Sequence, residues 1–78
     1  MSVKVLIDSV EKIKDFVGIT NHANCDIDLV SGRNTYLDAK SIMGILSCDF
    51  KKPMKLNIYA DEKYAKTVIN ELKTYIVE

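Results

Sequence analysis

The sequence predicts an α+β domain, an open-faced two-layer sandwich in which a four-stranded antiparallel sheet is covered on one face by three helices. Segments with period-two hydrophobicity alternate with segments of helical periodicity, in the order β-α-β-β-α-β-α. Because apolar and polar residues alternate along the strands, one face of the sheet is expected to be buried and the other wet. A chain of 78 residues has room for one domain, residues 1–78.

The first strand and the first helix are predicted within the first twenty residues. Every second residue of Val3–Ile7 is β-branched, which is typical of a strand that runs up to Asp8. Either Asp8 or Ser9 can cap the helix, and with Asp8 as the cap, Glu11 completes a capping box. The expected apolar face of this helix consists of Val10, Ile13, Phe16, Val17 and Thr20.

Residues 25–40 read as a β-hairpin. Ile27 and Leu29 alternate with aspartates, the turn is SGRN at 31–34, and the return strand begins at Thr35. A short second helix is predicted from Ser41 to about Asp49.

A fourth strand and a third helix complete the predicted fold. Lys-Lys-Pro at 51–53 interrupts the chain, and the strand MKLNIYA follows. The last helix has the clearest pattern, because its apolar residues form one stripe and its charged residues lie opposite. The stripe consists of Ala65, Val68, Ile69, Leu72 and Ile76.

Composition disfavours several classes of function. Eleven basic and eleven acidic residues give a net charge of zero, whereas non-specific nucleic-acid binders normally carry a basic excess. No apolar run approaches the roughly 20 residues that cross a bilayer, and no signal peptide is evident, so we expect a cytoplasmic protein without membrane contact.

No metal, cofactor or independent catalytic site is predicted. Cys25 and Cys48 form neither a CxxC motif nor a disulfide framework, and with His22 they supply too few ligands for zinc. The sequence contains no glycine-rich phosphate loop and no evident pair of nucleophile and base. If the protein takes part in a reaction, a phosphocarrier role is expected rather than that of an independent enzyme.

The stretch AKSIMGILS, residues 39–47, resembles the regulatory-serine segment of HPr, the histidine phosphocarrier of the bacterial sugar phosphotransferase system. The hairpin, the strand LNIYA and the final amphipathic helix follow in that family's order. The resemblance implies an HPr-like fold, in agreement with the elements predicted above.

The resemblance also implies that the family's catalytic residues are absent. Counting back from the matched strand DIDL places the family's catalytic histidine at Ser9, its arginine at Glu11 and its proline at Lys12. A carboxylate in place of the arginine would repel a phosphoryl group. Ser9 is then simply a helix cap, and His22 is expected near the end of the first helix as a solvated residue.

Ser41 and its neighbours are the predicted functional residues. Ser41 can cap the second helix, and the resemblance implies that it is phosphorylated by a serine kinase and read by a transcription regulator. A phosphate there would lie among helix N–H groups with Lys40 nearby. If Ile45 and Leu46 turn inward, Ile42 and Met43 are left largely exposed, and the predicted partner-binding residues are Lys40, Ile42, Met43 and Leu46.

Three functions stay open on the sequence alone. The first is a non-catalytic regulatory or protein-interaction module that acts through Ser41 and the Ile42/Met43 patch. The second is a phosphocarrier of the phosphotransferase system with a displaced site, for which His22 is the candidate. The third is a structural domain that self-associates through the same patch. Each implies protein partners and no nucleic acid.

Overall fold

A computed structural model describes residues 1–77 and confirms the predicted fold class. The strands are β1 (Ser2–Val5), β2 (Asp26–Ser31), β3 (Thr35–Asp38) and β4 (Met54–Tyr59). The helices are α1 (Val10–Thr20), α2 (Ile42–Leu46) and α3 (Glu62–Glu71), and a 3-10 turn follows at Lys73–Tyr75.

The sheet has the strand order β1-β4-β2-β3, and every neighbouring pair is antiparallel. Leu56 of β4 lies opposite Val3 of β1 on one side and Leu29 of β2 on the other. The side chains of Val3, Leu29 and Leu56 point toward the helices, as does every second residue from them along each strand. The residues between them point to the uncovered face.

The core lies between the sheet and the helices. Aromatic packing closes one end of it, because the rings of Phe16 and Tyr75 meet edge to face with centroids 5.8 Å apart. The largest fully buried side chains come from every layer: Val5, Ile7, Ile13, Phe16, Thr20, Leu29, Ile45, Leu56, Ile58, Val68 and Leu72.

The N-terminal elements differ from the prediction in three respects. β1 ends at Val5 rather than running up to Asp8, because the Leu6 amide donates to the Tyr75 carbonyl at 2.8 Å instead of joining β4. Ser9 caps α1, and Asp8 pairs with Lys12, so the capping box predicted for Asp8 does not form. Val10 is 47% exposed, because the first turn of α1 extends beyond the sheet-facing stripe.

Two later elements are shorter than predicted. α2 ends at Leu46 rather than near Asp49, with Ser47 as its C-cap. α3 ends at Glu71, so Ile76 does not continue its stripe; instead it forms a β-bridge with Val5. The C-terminal segment thereby returns to the edge of the sheet, where its backbone bonds to β1.

Among the helices of residues 1–77, none has both the length and the apolar character that a membrane span requires.

Candidate functional site

The start of α1 is organised by a serine cap and an ion pair. Ser9 has an extended backbone, and its hydroxyl accepts a hydrogen bond from the Lys12 amide at 3.2 Å. The Lys12 ammonium donates to Asp8 at 2.9 Å, and this hydrogen bond is the main reason why the pKa of Asp8 is lowered. Glu11 is exposed beside them, so the helix start carries a serine hydroxyl and two carboxylates.

His22 lies at the other end of α1. Its Nδ1 is 2.7 Å from the Gly18 carbonyl oxygen, so Nδ1 carries the proton and donates it there. At 1.5 Å per residue, about 20 Å of helix separates Ser9 from His22. The imidazole is therefore exposed at the carbonyl end of α1, as the sequence predicted, and remote from the helix start.

Ser41 caps α2, as predicted. Its hydroxyl accepts a hydrogen bond from the Gly44 amide at 3.1 Å, and its carbonyl accepts one from the Ile45 amide at 3.2 Å. A Cβ added at Gly44 would lie 3.4 Å from the Ser41 hydroxyl oxygen. The glycine thus keeps the space beside the half-exposed hydroxyl open.

Two hydrogen bonds hold the segment before α2 against α1. The buried Thr20 hydroxyl donates its one proton to the Ala39 carbonyl at 2.8 Å, and the Val17 carbonyl is its longer contact at 3.2 Å. The Lys40 ammonium donates to the Ala23 carbonyl at 2.9 Å. Lys40 is adjacent to Ser41 in sequence, but its charge is engaged with the segment that follows α1.

The outer surface of α2 is apolar, and we call Ile42, Met43 and Leu46 the α2 patch. Met43 is 79% exposed, and Ile42 and Leu46 are 36% and 37% exposed. Ile45 is fully buried and anchors the helix to the core. The expected exposure of Ile42 and Met43 is therefore confirmed. Leu46, by contrast, does not turn inward with Ile45 and is as exposed as Ile42, because α2 buries only the Ile45 side chain.

A polar cluster on the uncovered sheet face was not singled out from the sequence. The Asn57 amide and the Tyr59 hydroxyl donate to the two oxygens of Asp28 at 2.9 Å and 2.8 Å. The bond to Asp28 is the main cause that raises the pKa of Tyr59. Alternation of the strands predicts which face these residues share, but the register that joins β2 to β4 is a tertiary property.

Within residues 1–77, no group of three or more histidine, cysteine, aspartate or glutamate side chains is arranged to hold a metal ion.

Comparison with known proteins finds one family and one fold. The family model described as "PTS HPr component phosphorylation site" matches residues 11–78, a range that begins two residues after Ser9. No curated protein matches the chain. Among solved structures, the crystal structure of HPr-C-His from Thermoanaerobacter tengcongensis is 23% identical, with a TM-score of 0.73 over 95% of this chain and 92% of that one. At this identity the structural match supports the fold alone.

Proposed function

Since the chain belongs to the PTS-HPr family, we propose that it is a non-catalytic interaction or regulatory module that has lost the family's phosphorylatable histidine. It acts through the α2 patch, and Ser41 is its phosphorylation switch. The observation that carries the proposal is the combination of an exposed apolar helix face with a capping serine at its start.

The start of α1 supports the loss of phosphoryl transfer. Ser9 occupies the position that the resemblance gives to the histidine, and its hydroxyl already satisfies the Lys12 amide. The Asp8 carboxylate is paired with the Lys12 ammonium at 2.9 Å, and the Glu11 carboxylate is exposed nearby. The Glu11 carboxylate, at the position that the resemblance gives to the family's arginine, opposes the approach of a phosphoryl dianion.

The α2 patch supports protein binding. An exposed methionine beside two partly exposed aliphatic residues provides a small surface that adapts to different partners. The patch adjoins Ser41, so a phosphate there would add a charge of about −2 at the margin of an apolar contact. Phosphorylation would thereby change which partner docks.

Lys40 can take part in this switch only if its ammonium leaves its present partner. Its ammonium now binds the Ala23 carbonyl, so pairing with a phosphate on Ser41 would require it to exchange partners. We propose that this exchange couples phosphorylation of α2 to the C-terminal end of α1.

A kinase assay tests the proposal. With HPr kinase and ATP, the wild type is expected to gain one phosphate, and Ser41→Asn is expected to gain none, although asparagine retains the N-cap. Ser47→Ala, which alters another serine near the same helix, is the matched control and is expected to react normally. An unmodified wild type, or a Ser41→Asn variant that is still modified, would refute the switch.

The same assay examines the α2 patch. Met43→Asp leaves Ser41 intact and places a charge on the docking surface, so the kinase KM is expected to rise by about tenfold or more. Val77→Asp changes another exposed apolar residue, 50% accessible and outside the helices, and should leave KM unchanged.

Transfer from phosphoenolpyruvate distinguishes the phosphocarrier alternative. After incubation with the general phosphotransferase enzyme, we expect no acid-labile phosphate on the protein. Label that disappears in His22→Gln would instead establish a displaced carrier site.

A further inference from the structure

The uncovered face of the sheet carries two clusters of opposite charge. Its outward residues are Ser2, Lys4, Asp26, Asp28, Val30, Tyr36, Asp38, Lys55, Asn57 and Tyr59. The lysines lie on β1 and β4, and the aspartates lie on β2 and β3. None of the three helices covers this face.

The basic cluster is a cross-strand pair of like charges. Lys4 and Lys55 are direct register partners, an arrangement that destabilises an antiparallel sheet. Both line one cleft of about 350 Å³ together with Lys52 and Asp49, which pair with each other at 3.8 Å. Neither Lys4 nor Lys55 forms a salt bridge with a carboxylate of residues 1–77.

The acidic cluster repeats the arrangement with the opposite sign. Asp28 and Asp38 are register partners, and Asp26 lies two residues before Asp28 on the same face of β2. The three aspartates share a cleft with Tyr36 and Tyr59, which are 65% and 56% exposed. Lys40 also lines this cleft, but its ammonium is bound to the Ala23 carbonyl. Asn57 and Tyr59 fix the Asp28 carboxylate, so its charge is presented in one orientation.

We propose that this face binds a second copy of the chain. A two-fold axis lying in the interface, perpendicular to the line between the two clusters, places each lysine pair on the aspartates of the other copy. One partner thus compensates both like-charge pairs at once. The exposed tyrosine rings lie beside the aspartates and offer their faces to the incoming lysines.

The size of the face sets the strength of the dimer. Four strands at about 4.8 Å spacing and about 3.3 Å per residue span roughly 300 Å². A standard interface takes about 800 Å² from each partner. The dimer is therefore weak, forms at high local concentration, and dissociates as salt screens its charges.

This association goes beyond the proposed function and does not depend on phosphorylation of Ser41. Because the sheets meet, the helices of both copies stay outside, and the dimer presents two α2 patches. A divalent or oligomeric partner would bind such a dimer more tightly than the monomer, without new contacts at either patch.

Charge-reversal variants test the dimer. Sedimentation and concentration-dependent NMR shifts at about 1 mM protein and low salt should detect a dimer, with shifts confined to outward residues of the sheet. Lys4→Glu with Lys55→Glu should raise the dimer Kd by about tenfold or more, and so should Asp26→Lys with Asp38→Lys. Circular dichroism verifies that both variants are folded.

A mixture of the two variants gives the decisive result. The first variant has acidic residues in both clusters. The second has four lysines there and one remaining carboxylate, Asp28, so neither variant should self-associate, but together they should form a heterodimer. A wild type that stays monomeric at low salt overturns the proposal. A dimer that tolerates Lys4→Glu with Lys55→Glu, or that Met43→Asp dissociates, also overturns it, since the interface then lies elsewhere.

Discussion

Single side chains decide how each helix begins and what its end can bind. Ser9 and Ser41 each accept one amide hydrogen bond, yet their surroundings differ. Ser9 is flanked by Asp8, with its lowered pKa, whereas Ser41 is followed by Ile42 and Met43. The same capping chemistry therefore serves a charged helix start in one case and an apolar surface in the other.

The hydrogen bond between Tyr59 and Asp28 gives a prediction at this scale. The pKa of Tyr59 is higher in the folded protein than in the unfolded chain. The hydrogen bond therefore contributes its full stabilisation below the ordinary tyrosine pKa of about 10. That stabilisation is lost as the pH rises through the pKa of the folded state. Asp28→Ala should lower the pKa of Tyr59, as measured by NMR titration of its Cζ carbon. The pKa of Tyr75 is raised mainly by burial, so it is the internal control and should stay unchanged.

At the scale of elements, α2 is a five-residue helix that depends on one anchor. An isolated helix of this length is unstable in water, so tertiary contacts must hold it. Ile45 supplies the buried contact, and the bonds of Thr20 and Lys40 fix the segment before it. Because the anchor is a single residue, the rest of the helix is free to face a partner.

Substitutions along α2 should separate stability from binding. Ile45→Ala is expected to lower the free energy of unfolding by about 2–5 kcal/mol, because it leaves a cavity under the helix. Met43→Ala should change it by no more than about 0.5 kcal/mol, because the side chain is 79% exposed. Urea denaturation measures both; a large loss in Met43→Ala would mean that the α2 patch is part of the core.

At the scale of the whole molecule, contacts between distant segments close the two-layer sandwich. The C-terminal segment bonds to β1 through Leu6–Tyr75 and Val77–Lys4 backbone pairs, and Tyr75 packs on Phe16. About one turn after Phe16 on α1, the Thr20 hydroxyl joins the helix to the strand-to-helix segment at Ala39. These contacts keep the helices on one face and leave the other face of the sheet open.

Removing the Thr20 hydroxyl tests this closure. Thr20→Val should lower the free energy of unfolding by about 1–3 kcal/mol, because the buried Ala39 carbonyl loses its side-chain donor. In Thr67→Val, the lost hydroxyl bond is exposed on α3, and the effect should stay within about 0.5 kcal/mol. If thermal or chemical denaturation shows the same loss of unfolding free energy in Thr20→Val and Thr67→Val, the buried hydrogen bond does not stabilise the fold more than an exposed one.

Much of the fold and part of the candidate site could be predicted from local pattern. The alternation in Met54–Tyr59 identified β4, and a serine before an apolar turn identified the Ser41 cap. Val10 was wrongly assigned to the buried face of α1. Helical periodicity gives the direction in which a side chain points, but not whether another element packs over it there. Ile76 was misassigned because its helical spacing continued after the chain had turned back to Val5.

By itself, the sequence determined the order of the elements, the inward residues of β1, β2 and β4, and the serine that begins α2. These properties follow from the steric and hydrogen-bonding preferences of neighbouring residues, which are written in short stretches of chain. Only the tertiary structure decided that Lys40 binds Ala23, that Lys4 faces Lys55, and that Asp28 holds Tyr59. Those contacts join residues far apart in sequence, so they exist only when the sheet register and the packing of the helices have brought them together.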